Sequence, residues 1–175
     1  MSESLLVWLA LAIVVFWVVG LYQRLQRLRS QALVALVAVE KQLRQHASVV
    51  QAHIGASAES EVSADWGALL LALGALDLAL KEAQREPLSV VCLSRLRAAY
   101  ESVQTAWAAL CDAPVDLAGA VVPDAMRQQW DAVTAAVHAV RSGCNQTLAC
   151  YNEAIAQFPA RLLVGVMRFK AAGQL

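Results

Sequence analysis

Proline and glycine are scarce in this chain, four and eight residues among 175. A β sandwich needs many more of both for its turns, so that class is excluded, whereas long helices tolerate the composition. Charge is thin as well, at 16% of residues, and the fourteen basic and fourteen acidic side chains cancel. No basic excess points to nucleic acid. The four cysteines, Cys92, Cys111, Cys144 and Cys150, form no Cys-x-x-Cys pair. Each lies in an apolar helical context and reads as a small buried hydrophobe, not as a metal ligand or half of a disulfide.

The motifs of chemistry are missing too. There is no His-Glu-x-x-His, no Gly-x-x-x-x-Gly-Lys, no Gly-x-Gly-x-x-Gly and no Gly-x-Ser-x-Gly. The Glu-x-x-His pair of di-iron bundles is absent. Histidine is limited to His46, His53 and His138. His46 and His53, seven apart, can share a helix face, but with no third ligand a solvated face is the plainer reading. Acidic residues lie singly. Asp77, alone in an apolar run, is expected to meet an arginine inside the bundle. No catalytic residue, cofactor or metal is predicted, and the chain is not read as an enzyme.

What is present begins at once. Leu5 to Tyr22 carries no charge and no proline. As a helix it would be about 27–30 Å long, close to the hydrocarbon thickness of a bilayer. Twelve of its residues are Leu, Ile, Val or Phe, which favours insertion by at most roughly 4–7 kcal/mol. The residues before it, Met-Ser-Glu-Ser, lack a positive side chain, and no Ala-x-Ala site follows, so an uncleaved anchor is expected rather than a signal peptide. Arg24, Arg27 and Arg29 follow the span and only Glu3 precedes it. The positive-inside rule then puts the N-terminus outside and the remainder in the cytoplasm.

Helical spacing continues past the span. Leu21, Leu25, Leu28, Ala32, Ala35, Val39, Leu43 and Val50 recur three, four or seven apart, with no Gly or Pro before Gly55. Ser63 suits the N-cap of a second helix, whose run from Trp66 to Leu80 is apolar apart from Asp77. Pro87 marks a break. A third helix places Val91, Leu96, Tyr100, Val103, Trp107 and Leu110 on one side and closes at Pro114. A fourth opens at Pro123 and Asp124 and carries the cleanest stripe: Met126, Trp130, Val133, Val137, Val140, Cys144, Leu148, Tyr151, Ile155 and Phe158, ended by Pro159.

The predicted fold is all-α: an N-terminal transmembrane helix continuing into an antiparallel up-and-down bundle. Residues 1–22 form the anchor, 23–160 the bundle and 161–175 an amphipathic tail. The tail mixes Arg161, Arg168 and Lys170 with large apolar residues. It either lies in the membrane interface or covers the open end of the bundle. Arg24, Arg27, Arg29, Arg161, Arg168 and Lys170 are the candidate contacts to anionic headgroups, at roughly 1 kcal/mol each.

Both ends of the chain resemble the LemA family of bacterial membrane proteins. Leu21-Tyr22-Gln23-Arg24-Leu25-Gln26-Arg27-Leu28-Arg29 is similar to the family's Tyr-Asn-x-Leu-x-x-Leu-Arg segment, and Val39 to Arg44 to its Ile-Asp-Val-Gln-Leu-Lys. Tyr151-Asn152-Glu153-Ala154-Ile155-Ala156-Gln157-Phe158-Pro159 resembles Tyr-Asn-x-Ala-Ile-x-x-Phe-Pro, with Leu162 to Gly165 and Phe169-Lys170 similar to its tail. The resemblance implies an anchor, a helical up-and-down bundle and no established catalysis; a role in membrane remodelling has been attached to relatives in magnetosome formation. The expected function is structural or adaptor-like at the inner membrane, with the lipid bilayer and an unidentified protein as partners and homo-oligomers left open. The alternative is a membrane-tethered sensor or signal relay that binds a ligand.

Overall fold

The computed structural model describes residues 2–56, 64–113, 122–157 and 170–175. Four helices account for nearly all of them: α1 (Ser2–Ala56), α2 (Ala64–Arg85), α3 (Val90–Cys111) and α4 (Asp124–Ala156). No strand occurs among the described residues. The part of α1 from Leu25 onward packs antiparallel against α4, and α2 and α3 form an antiparallel hairpin. The N-cap expected at Ser63 and the helix end at Phe158 and Pro159 lie outside the described residues.

Helix α1 is one rod with two environments. Its first turns leave large apolar side chains in the open, Trp8 at 70% and Phe16 at 81% exposure. From Leu25 onward its inner face is buried at Leu25, Ala32, Leu36, Val39, Leu43, His46 and Val50. Two interleaved seven-residue ladders make that seam, as in coiled coils. Helix α4 answers with Met126, Trp130, Val137, Cys144, Leu148, Tyr151 and Ile155; Val133 and Val140 are partly buried beside them. The stripe read from the sequence is therefore the packed face. Only α4's end differs: Gln157 is already extended (φ −71°, ψ 141°), and the helix ends at Ala156.

The hairpin closes tightly. The Glu86 amide donates to the Glu82 carbonyl and the Ser89 amide to the Glu86 carbonyl, around Pro87. In α3 the buried face starts at Leu93, and Val91 is 57% exposed. Leu93 is three residues before Leu96 and seven before Tyr100, the angle the stripe requires; Val91 is two residues off. Asp77 meets no arginine. It stands on the outer face of α2, one residue past buried Leu76, and pairs with Lys81 at 2.6 Å. Of the cysteines, Cys144 is buried, Cys92 and Cys111 are half-buried, and Cys150 is exposed; none is paired. Cys150 lies two residues after Leu148, on the opposite side of α4.

The two hairpin halves meet through aromatic rings. Trp107 of α3 stacks on Trp130 of α4, centroids 4.1 Å apart and planes 10° apart. Trp130 is 1% exposed. Outside the core, Arg44–Glu40, Arg95–Glu82 and Arg97–Glu101 pairs decorate the surface, each worth at most about 1 kcal/mol. Replacing the stacked ring tests the assignment of the core. In the fragment from Gln23 to Leu175, Trp130→Ala is expected to lower unfolding free energy by about 3–5 kcal/mol in urea titrations. A variant melting like its parent would mean that α4's stripe does not carry the core.

Candidate functional site

The histidines first. His46 is not on a solvated face: it is fully buried. Its ring lies edge-on to Trp130 (4.4 Å) and to Tyr100 (5.7 Å), and its Nε2 is 3.1 Å from the Thr134 hydroxyl. Nδ1 has no hydrogen-bond partner, so a charged imidazole would bury an unmatched N–H. Desolvation accordingly lowers its pKa from 6.5 to about 4. The sequence carried a signal for this: the seam runs Leu43 to Val50 with a vacant position at 46, and His46 fills it. His53 shares that face but stacks on Trp66, 5.3 Å away. Among the described residues no group of three His, Cys, Asp or Glu side chains could hold a metal ion.

The features that gather chemistry lie at the other end, where the apolar span leaves the bundle. Here the base of α1, the α2–α3 turn and the end of α4 come level. Residues 170–175 join them as an extended strap antiparallel to α4. Asn152 grips Ala172 twice: its Nδ2 donates to the Ala172 carbonyl (2.9 Å), and its Oδ1 accepts from the Ala172 amide (2.8 Å). Asn145 grips Leu175 in the same way, at 2.8 and 2.9 Å. The Tyr151 hydroxyl donates to the Lys170 carbonyl at 3.2 Å.

The spacing explains the fit. Seven helical residues rise about 10.5 Å, and three extended residues span about 10 Å. Asparagines seven apart on α4 thus meet backbone units three apart on the strap. Ala172 and Leu175 are buried. Gly173 passes so close to α3 that a Cβ there would lie 2.9 Å from the Val90 Cα and 3.2 Å from the Leu93 Cβ; the first neighbour is backbone and cannot give way. The described part of the tail therefore covers the bundle. Burial pushes the Tyr151 phenol above its ordinary pKa, partly offset by the charge of Arg29, so it stays a donor.

Of the six cations read from the sequence, Arg29 and Lys170 line one cleft of about 560 Å³. Arg24 and Arg27 are exposed on α1 nearer the apolar span. Arg161 and Arg168 lie outside the described residues. The cleft adds Arg85, which sequence reasoning passed over, together with Glu86 and the start of α3 from Ser89 to Val91. The signal for Arg85 was topological: a second helix that returns must bring its last turn level with the base of the first.

Two outcomes follow. Asn152→Ala removes two hydrogen bonds, at roughly 1 kcal/mol each; stability should fall by about 2 kcal/mol and the Ala172 amide should lose protection from hydrogen exchange. Gly173→Ala should expose the same amide, and unchanged protection in both variants would contradict the clamp. The second concerns acid. His46 titrates at about 4 when folded and 6.5 when unfolded, so the unfolded chain binds the proton first. Stability should fall between pH 6.5 and 4, by about 3 kcal/mol from this group. In denaturant titrations over that range His46→Leu should lose this part of the slope; an unchanged slope would place the proton elsewhere.

No family model, curated protein or solved structure matches this chain.

Proposed function

We propose that the protein is a single-pass membrane protein whose helical bundle serves as a structural or adaptor module on the cytoplasmic face of the bacterial inner membrane. The observation that carries this reading is the continuity of α1. One uninterrupted helix of 55 residues presents open apolar side chains in its first third and the seam of the core in the rest. It is the helix among the described residues long and apolar enough to cross a membrane. A span removed after synthesis would have to be cut from the rod that also builds the core, with no small-residue site between Gly20 and Leu25; retention is the simpler outcome. The three arginines after the span favour a cytoplasmic bundle. The resemblance of both ends to the LemA family points the same way.

With an adaptor the bundle offers surface rather than chemistry. The exposed outer faces of α1 and α2, with Val34, Val37, Leu71 and Leu78 open, are available to another protein. The test is topology joined to capture. Leu175 is buried, so reporters are attached through a flexible linker. A fluorescent protein fused there should shine, and a phosphatase active only in the periplasm should stay silent. Crosslinked capture from membranes should recover one protein at stoichiometric ratio. Periplasmic phosphatase activity overturns the orientation; capture without a stoichiometric partner overturns the adaptor role.

A further inference from the structure

We infer that the cleft at the base of the bundle is a binding site for a phosphate monoester, held by Arg29, Arg85 and Lys170. The inference deepens the membrane reading above and rests on it for the ligand's source.

The three cations come from distant parts of the chain: the lower turns of α1, the last turn of α2, and the strap. They line one cleft. Elsewhere on the bundle, Arg44, Lys81, Arg95 and Arg97 are each paired with a carboxylate. Among the described residues Arg29, Arg85 and Lys170 have no such pair; Lys41, Arg127 and Arg141 also lack one, but they do not line this cleft. Glu86 is the one acid in the lining, and it forms no ion pair among them. The lining therefore carries a net charge near +2, which a phosphate monoester at neutral pH matches. Two guanidinium groups present forked donors suited to phosphate oxygens.

The strap is the independent observation. Five hydrogen bonds fix its backbone, and the one from Tyr151 holds Lys170 itself. A lysine from the far end of the sequence is thus stationed beside Arg29 and Arg85 at a defined place. The start of α3 adds to the field: Ser89 supplies no side-chain cap, and no acid stands in the first turn, so no side chain there offsets the positive end of the helix dipole. Position fits a lipid source. Arg29 is seven residues beyond Tyr22, about 10 Å along the helix, and the headgroup layer is roughly 5–8 Å deep on each side. A monoester headgroup would stand at the mouth of the cleft. A soluble phosphate monoester carries the same chemistry.

The full chain in neutral detergent is the material, and the midpoint of thermal unfolding is the readout, since a ligand bound only by the folded state raises it. One arm adds phosphatidic acid in mixed micelles, another inorganic phosphate, and a third phosphatidylcholine. Phosphatidic acid should stabilise and phosphatidylcholine should not. Stabilisation by inorganic phosphate as well would make a free phosphate the source; by phosphatidic acid alone, a headgroup. Arg85→Gln and Lys170→Gln should each weaken apparent affinity about fivefold, as expected for one cation. Asn152→Ala, which keeps every charge but loosens the strap at Ala172, two residues from Lys170, should weaken it also. Lys81→Gln, a charge removed elsewhere, should leave it unchanged. Equal affinity of Arg85→Gln and parent, or equal loss in Lys81→Gln, overturns the site. Because the assay is done in detergent, such a failure leaves the membrane orientation standing, and a reversed orientation leaves the binding result standing.

Discussion

The seam between α1 and α4 is the interaction on which the molecule depends. An isolated helix draws little stability from its own hydrogen bonds, and a long one survives in water by burying a stripe. Below Tyr22, α1 has that stripe, and α4 is the partner with the matching length: 33 residues against the 34 of α1 from Gln23 to Ala56. Helices α2 and α3, at 22 residues each, are too short to cover α1 along its whole length. They close the remaining side through Tyr100 and Trp107. His46 sits where these surfaces meet. A polar ring at a seam position costs packing energy and sets register, because only one alignment brings Thr134 to its nitrogen.

The same seam positions the basal cleft. Antiparallel packing returns the end of α4 to the base of α1, and the hairpin returns the α2–α3 turn to the same level. The strap then needs only a short extended path. Its grip is on backbone, so it depends little on the strap's side chains except where space decides, at Gly173. Tyr151 and Asn152 are both spent on holding residues 170 and 172. The cleft's charge is a consequence of topology, since Arg29, Arg85 and Lys170 come from three separate segments of the chain.

Periodicity alone determined the helices, their order, the apolar span and most of the core, because burial on one face of a helix leaves a repeat that can be counted. The breaks at Pro87 and Pro123 follow from the same local reason: proline removes a donor and restricts its neighbour. The errors were rotational. Residue type alone puts Val91 and Asp77 inward and His46 outward; at 100° per residue, position outranks polarity. Only the tertiary structure could pair Asn145 and Asn152 with the strap, or bring Arg85 to Arg29 and Lys170. These groupings join residues between 20 and 85 apart in the sequence, and nothing in a local pattern records which distant backbone will lie opposite a side chain.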